Sequence, residues 1–241
     1  MNNLEQIYIE HLSTPFKDFD GVERLPIGNR LLKSMIAKNH MDNEKFLEIK
    51  EELVNAIKNQ QAYFWSDTHF FHKNIIKYTG RPFDETGDMN YKMRGEWEKL
   101  NFNDWLIHGG DVSFGDVNLS IEYLSNLPGK KLLVYGNHDF FKNEKGFRDT
   151  KAFDYGTMCF DFELDGIQYW VTHYPIRDSL LPEKVINIHG HVHEKKISDK
   201  HRNISVEMTN YKPIKLEQML ELNQVSPYVR AHKEIKNNLG L

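Results

Sequence analysis

Five short segments rich in histidine, aspartate, asparagine and glycine each follow an apolar run in this chain of 241 residues. The segments are Asp67-Thr68-His69, His108-Gly109-Gly110-Asp111, Gly136-Asn137-His138-Asp139, His173 alone, and His189-Gly190-His191-Val192-His193. Their side chains offer carboxylate, imidazole and amide groups and no thiolate, a ligand set that suits first-row metal ions. One histidine after a strand is ordinary, but five such segments together predict a shared metal site.

Seven side chains in these segments are candidate metal ligands. They are Asp67, His69, Asp111, Asn137, His173, His191 and His193. Asp67/His69 and His191/His193 are spaced two residues apart, so in an extended segment each pair would point the same way. Seven ligands are too many for one tetrahedral ion and fit two ions that share a carboxylate. We therefore expect two divalent metal ions, with Mn preferred and Fe, Zn or Ni as alternatives.

The elements that must position these residues begin near residue 62, where apolar runs alternate with helical patterns. This alternation predicts an α/β layered domain. Strands are predicted at 62–66, 104–108, 132–135, 160–164, 168–172, 185–189 and 203–206, and helices at 73–78, 89–100, 117–127, 216–222 and 228–236. Asp165-Gly166 predicts a tight hairpin turn between two of the strands. Ligand-rich segments that follow strands fit the rule that sites form beyond the carboxyl ends of strands in open α/β sheets.

The residues before this domain form a separate pattern. Apolar side chains in 41–58 recur at three- and four-residue spacing, which predicts an amphipathic helix. Residues 1–40 predict one more helix and a loop that contains Pro15, Gly21, Pro26 and Gly28. We expect residues 1–60 to be an N-terminal helical extension packed on a main domain at 61–241.

Composition narrows the class of protein. Hydrophobic residues make up 39% and charged residues 27% of the chain, which excludes collagen-like and disordered proteins. The formal net charge of −4 provides no general attraction to nucleic acid or to a membrane. The single cysteine, Cys159, and the lack of a long apolar window or a secretion signal fit a cytoplasmic protein with no membrane partner.

The motif order Asp-x-His, Gly-Asp, Gly-Asn-His-Asp, lone His and Gly-His-x-His resembles the calcineurin-like metallophosphoesterase superfamily from Asp67 to His193. The stretch 67–76, followed by Arg81-Pro82-Phe83, is also similar to a subgroup of small bacterial and phage phosphoesterases. The resemblance implies an α/β (α+β) fold of two packed mixed β-sheets flanked by helices. It also implies a division of the seven ligands. Asp67, His69 and His193 would hold one ion, Asp111 would bridge, and Asn137, His173 and His191 would complete the second site.

A pair of divalent ions lowers the pKa of bound water towards about 7 and turns it into a nucleophile for phosphorus, so no serine or cysteine is needed. His138 is the predicted catalytic residue, as general acid or transition-state stabiliser, because it adjoins Asn137. His72 and Arg81 are candidate contacts to the substrate phosphate. His108 and His189 could orient ligands, and Asp139 could orient a histidine or cap a turn.

The predicted activity is hydrolysis of a small phosphodiester or phosphomonoester, such as a nucleotide. Serine/threonine protein phosphatases of this superfamily carry Asp-Arg after the Gly-Asp motif, but the segment 110–115 of this chain contains no arginine, so protein substrates are disfavoured. A metal-dependent nuclease is the alternative within the class. It is disfavoured by the net charge, although Lys195, Lys196, Lys200, His201 and Arg202 form a local basic run. An inactive interaction scaffold is the alternative from another class, and the complete ligand set disfavours it. The sequence does not predict an oligomeric state.

Overall fold

The computed structural model describes residues 3–17, 23–24, 26–39, 43–139 and 152–221. The helices are α1 (Asn3–Ser13), α2 (Asn29–Asn39), α3 (Asn43–Lys58), α4 (Ile75–Thr79), α5 (Thr86–Trp97), α6 (Val117–Ser125) and α7 (Leu216–Leu220). The strands are β1 (Phe16–Lys17), β2 (Glu23–Arg24), β3 (Ala62–Trp65), β4 (Trp105–His108), β5 (Lys130–Val134), β6 (Tyr155–Thr157), β7 (Cys159–Leu164), β8 (Ile167–Thr172), β9 (Val185–His189) and β10 (His201–Asn203).

Two four-stranded sheets form the body of the fold, and helices flank them. The first has the order β3-β4-β5-β6 and is parallel throughout. The second has the order β10-β9-β8-β7 and is mixed, because β7 and β8 form an antiparallel hairpin. The predicted two-sheet α/β fold is therefore confirmed. The carboxyl ends of β3, β4 and β5 share one edge because these strands run parallel, and those of β8 and β9 share another.

Successive side chains of the buried strands contribute to two different hydrophobic cores. Phe64 and Ile107 belong to a core with Phe160, whereas their neighbours Trp65 and Leu106 belong to a second core. Strand residues alternate between faces, so a strand buried on both sides is apolar throughout. Because each strand is packed on both faces, its position in the fold is fixed. The loop that follows the strand therefore begins at a fixed place.

The N-terminal segment differs from its prediction. Residues 1–40 contain a second helix, α2, and the short β1–β2 hairpin, where one helix and a loop were predicted. The glycines and prolines of residues 15–28 predicted a loop. A new helix begins directly after them, at Asn29. Leu4, Tyr8 and Leu12 of α1 are buried in the same core as Trp65, so α1 packs directly on the main body.

Most predicted elements of the main body lie within a few residues of the observed ones. Asp165 and Gly166 have φ of 53° and 74°, as a tight hairpin turn between β7 and β8 requires. Strand β6 was not predicted, and β10 ends at Asn203 where a strand 203–206 was expected. The predicted helix at 228–236 lies outside the described residues. Among the helices in the described ranges, none has the length and apolar character needed to cross a membrane.

Candidate metal centre

The loops after β3, β4, β5, β8 and β9 bring the predicted ligands together in two clusters. Asp67, His69 and His193 form one cluster, and Asp111, His173 and His191 form the other; within each, the potential ligand atoms lie within 4.8 Å of one another. These clusters match the division that the family resemblance implied, with Asp111 counted in the second. Imidazole and carboxylate in such sets suit a divalent first-row ion.

Asp111 lies between the two clusters. Its Oδ2 is 3.6 Å from Nε2 of His69 in the first cluster and 3.5 Å from Nε2 of His173 in the second. One carboxylate oxygen facing an imidazole from each set is the arrangement in which a carboxylate can be shared by two ions. The backbone N–H of His138 donates to the other oxygen, Oδ1, at 2.9 Å, which fixes the rotation of the carboxylate.

The backbone conformation of the two candidate ligand pairs differs from the predicted one. An extended backbone was assumed for Asp67/His69 and His191/His193, but all four residues are left-handed, with φ between 48° and 69°. Asp111 also has a positive φ, 57°. For residues other than glycine this conformation costs on the order of 1 kcal/mol or more each, and it is maintained only where surrounding contacts fix it. The loops turn sharply at these five candidate ligands, which brings their side chains together at one place.

Close backbone approach explains two of the glycines beside the ligands. A Cβ on Gly190 would overlap the hydroxyl of Ser66 and the carboxylate of Asp67, and a Cβ on Gly136 would overlap the carboxylate of Asp111. Any larger residue would therefore displace an aspartate that belongs to the site.

Asp139 holds two ligand loops together. Its carboxylate accepts backbone N–H groups from Asp111 (2.9 Å), Val112 (2.9 Å) and Gly136 (2.7 Å). The residue is completely buried, and this burial, with the nearby charge of Asp111, raises the pKa of Asp139 to about 6, although the N–H groups act in the opposite direction. Asp139 therefore anchors two loops through their backbone N–H groups. This role is close to the turn cap, which was one of the two roles predicted for it.

Arg81 holds the first ligand loop from behind. Its guanidinium donates to the backbone carbonyls of Asp67 (2.6 Å) and Thr68 (2.9 Å) and pairs with Glu207 at 2.9 Å. The arginine side chain is fully buried and does not line the cavity, so its donors do not face a substrate in this structure. In the structure Arg81 therefore supports the loop of Asp67, and its contact with the substrate phosphate stays a prediction. The planar guanidinium group of Arg81 binds carbonyl and carboxylate oxygens of the protein itself.

Glu207 links this arginine to a candidate ligand. Its Oε1 lies 3.2 Å from Nδ1 of His193, which orients that ring and leaves Nε2 to face the centre. Burial alone would raise the pKa of Glu207, but Arg81 and His193 together hold it well below its usual range. Ser205 adds a second support, since its hydroxyl donates to Oδ2 of Asp67 at 2.9 Å.

The second cluster is supported from the opposite side. Nδ1 of His173 lies 2.8 Å from the carbonyl of Gly109, so this nitrogen carries the proton and Nε2 faces Asp111 and Asn137. The Tyr174 hydroxyl donates to Oδ1 of Asn137, and the Tyr174 backbone N–H donates to the hydroxyl of Tyr8, each at 3.1 Å. Helix α1 therefore contacts the residue that orients Asn137.

The electrostatics of the centre suit added positive charge. Burial opposes charge on both Asp111 and His173, but their mutual attraction lowers the pKa of Asp111 far below its usual range and raises that of His173 to about 9. His69 is the informative exception. Burial holds its pKa well below the usual value, and both of its ring nitrogens are buried without a hydrogen-bond partner. Buried polar atoms almost always have a partner. A ring nitrogen of His69 that lacks one is therefore suited to bind a metal ion.

His138 and His72 lie in a cavity of about 1010 Å³ that also reaches His69 and Asp111. The His138 ring centroid is 5.4 Å from that of His69 and 5.2 Å from that of Phe114. His72 stacks on Phe114 at 4.2 Å, and Phe114 is 46% exposed. Burial and the neighbouring His138 and Arg81 lower the pKa of His72, and its Nδ1 is buried without a partner. Both histidines therefore face space that a substrate could fill.

His108 and His189 lie one layer deeper. Nδ1 of His108 accepts the backbone N–H of Gly110, and Nε2 bonds to the Thr68 hydroxyl, which itself donates to the carbonyl of Val112. This chain connects the loops of Asp67 and Asp111. His189 bonds through Nδ1 to the carbonyl of Gly190. Both rings are in contact with ligand loops, as expected for residues that orient ligands.

Sequence reasoning missed the residues that support the ligands from other parts of the chain. Glu207, Ser205 and Tyr174 follow β8 or β10 and belong to no motif; Tyr8 lies in α1, outside the region of resemblance. Glu207 could have been suspected from its place in the apolar stretch Ile204-Ser205-Val206-Glu207-Met208, since a carboxylate there has to be paired. No local signal marks Tyr8, whose hydroxyl acts across the fold.

Comparisons with known proteins show the family to which this chain belongs. The model of the family described as calcineurin-like phosphoesterase matches residues 62–232. An uncharacterized protein of Methanocaldococcus jannaschii is 31% identical over 187 residues, which is 73% of this chain and 98% of that protein. The crystal structure of a protein of unknown function from Aquifex aeolicus, AQ665, is 30% identical, covers 67% of this chain and 98% of its own, and superposes with a TM-score of 0.53.

Proposed function

Because this chain belongs to the calcineurin-like phosphoesterase family, we propose that it is a metal-dependent phosphoesterase with a dinuclear centre that hydrolyses a small phosphate ester. The observation that carries the proposal is the position of Asp111, whose Oδ2 faces an imidazole of each cluster at 3.5–3.6 Å. We assign the activity to residues 61–241 and regard residues 1–60 as an extension that supports it.

Asp67, His69 and His193 would hold one ion, Asn137, His173 and His191 the other, and Asp111 would contact both. When bound, such a pair of ions supplies Lewis acidity that activates water and offsets charge on the phosphoryl oxygens. Manganese is the ion we propose, because the ligand set mixes carboxylate, amide and imidazole without sulfur. Glu207 and the Gly109 carbonyl fix the outer nitrogens of His193 and His173, which keeps the inner nitrogens aimed at the centre.

The chain's own residues handle the leaving group. His138 lines the cavity, and its backbone is tied to Oδ1 of Asp111, so its ring is held beside the centre. We assign it the proton that the departing alkoxide requires. His72, stacked on Phe114 in the same cavity, is assigned to the substrate phosphate or the group beside it.

The cavity favours a small ester over a polymer. Its lining combines the centre with apolar side chains such as Ile75, Val192 and Ile197. The net charge of −4 provides no general electrostatic attraction to nucleic acid. A phosphodiester or phosphomonoester of nucleotide size is therefore the proposed substrate class.

The test is hydrolysis of p-nitrophenyl phosphate and bis-p-nitrophenyl phosphate by protein stripped with EDTA and then reloaded with Mn²⁺, Zn²⁺, Fe²⁺ or Ni²⁺. We expect no activity in the stripped protein and recovery with Mn²⁺. Asp111→Asn should lose both activity and bound metal, whereas Asp116→Asn, at the exposed cap of α6, should retain both. Hydrolysis that persists without metal, or a reloaded protein inactive on both esters, would refute the proposal.

A further inference from the structure

The cavity that holds the candidate metal centre has further polar side chains in its wall. Besides the ligands, its lining includes His11 of α1 and Arg177 of the segment after β8. Arg177 is four residues beyond His173 along one wall, so the two Cα atoms are separated by at most about 14 Å. A ligand of nucleotide size can thus touch both residues.

Arg177 has unused hydrogen-bonding capacity. Within the described ranges its guanidinium makes no ion pair or side-chain hydrogen bond, and its Nε is buried without a partner. Arginine can present up to five N–H donors in a planar fork that matches the oxygens of a phosphate group. A partly buried guanidinium without a protein acceptor, in a cavity wall, can bind an anion that enters the cavity.

His11 provides an independent observation in the same wall. It is only 5% exposed, and its Nδ1 is buried without a partner. The ring bonds to the backbone carbonyl of Pro175, so the nitrogen that remains is an acceptor while the ring is neutral. Burial, with the charge of Arg177, lowers the pKa of His11 to about 4, so the ring is neutral at pH 7.

An accepting nitrogen beside a guanidinium distinguishes a phosphate from a carboxylate. A phosphate group near neutral pH keeps a P–OH in part of its population, because its second pKa is about 6. Its charged oxygens can bind Arg177 while the P–OH donates to His11. A carboxylate has no such proton at pH 7.

We propose that Arg177 and His11 form a subsite for a second phosphate group of the substrate, in the wall of the cavity that also holds the metal centre. This inference rests on the proposed function for its substrate, but not for the binding of phosphate itself. It gives helix α1 a direct part in substrate recognition.

The binding test uses metal-free protein in EDTA with inorganic phosphate as the probe, followed by ³¹P NMR line broadening. We expect saturable broadening with wild type, loss of it with Arg177→Ala, partial retention with Arg177→Lys, and no change with Arg94→Ala, a surface arginine paired with Glu98. Equal broadening with Arg177→Ala and wild type, or none with wild type, would overturn the subsite. Circular dichroism of each variant checks folding, and His11→Leu, which removes the accepting nitrogen, gives a second route to the same loss.

The kinetic test uses Mn²⁺-loaded protein and alkanediol monophosphates paired with the bisphosphates of the same chain length, in a series of increasing length. At the length that spans the cavity, the bisphosphate should have a KM lower by about 10- to 100-fold, as one charge-assisted interaction supplies. This advantage should vanish in Arg177→Ala; an advantage that persists would contradict the subsite. Failure to hydrolyse either compound would count against the proposed function, whereas the NMR result tests the subsite separately.

Discussion

The carboxylate of Asp139 accepts the backbone N–H of Asp111 at 2.9 Å, so the aspartate between the two ligand clusters is held by another aspartate. The same carboxylate accepts the N–H of Gly136, beside the candidate ligand Asn137. One buried side chain thus fixes the spacing between the loops that follow β4 and β5.

Asp139→Asn should weaken both the fold and the metal centre. The amide retains a single acceptor oxygen and presents an N–H₂ group where N–H donors converge, so we expect a loss of about 1–3 kcal/mol in the free energy of unfolding. Urea denaturation and calorimetric titration with Mn²⁺ measure the two effects. Asp116→Asn is the control, since Asp116 also accepts a backbone N–H, from Leu119, but outside the site. Similar Mn²⁺ affinity in wild type and Asp139→Asn would argue against the anchoring role.

His138→Gln should lower kcat by about 10²- to 10⁴-fold while metal content stays unchanged. The backbone bond from residue 138 to Asp111 survives the change, so the ligands keep their positions. The loss should be large for alkyl esters and small for p-nitrophenyl esters, because p-nitrophenolate leaves without a proton. Steady-state kinetics on both ester types gives the comparison, and an equal loss on the two would contradict proton donation.

Arg81→Lys separates positioning from substrate contact. A single ammonium cannot serve the carbonyls of Asp67 and Thr68 together with the carboxylate of Glu207, so the first cluster should loosen. We expect bound Mn²⁺, measured by elemental analysis after dialysis, to fall towards half of the wild-type content. Arg94→Lys on the surface of α5 is the matched control. A raised KM with full metal content would instead restore the substrate contact that the sequence suggested.

The buried histidines predict a direction for acid sensitivity. Burial lowers the pKa of His108 to about 3, whereas an unfolded histidine titrates near 6.5. Between these values the unfolded chain binds a proton that the folded chain does not, so stability falls as the pH drops from about 6.5 towards 3. His108→Gln removes this linkage, and its amide can still accept from Gly110 and donate to Thr68.

Urea unfolding of metal-free protein at pH 5, 6 and 7.5 tests this prediction. The slope of stability against pH should be shallower in His108→Gln by up to about 1.4 kcal/mol per pH unit, the value for one proton. At pH 7.5 the linkage is absent, and the variant then reports only its packing cost. Equal slopes in the two proteins would show that His108 does not titrate differently on folding.

The sequence was sufficient to predict the fold class and the convergence of the candidate ligands. Metal-binding residue types after apolar strands carry that information locally, and a two-sheet core sets where the strands end. It was insufficient for the backbone at Asp67 and His193, because a left-handed turn outside glycine is imposed by tertiary contacts and not by local preference. The support that Arg81 gives to the first ligand loop was not predicted, for a related reason. Its fork suits phosphate and protein oxygens equally, and only the position of Glu207 in the fold decides between them.

Five candidate ligands have backbone conformations that glycine would adopt with less strain. Replacing any of them by glycine would relax its loop and delete a donor atom in one step. Substitutions to glycine that stabilise these loops against heat would therefore each remove one candidate metal ligand and lower the affinity for the cation. Substitutions intended to raise thermal stability should be placed away from these turns, for instance at the exposed Tyr91 and Phe102.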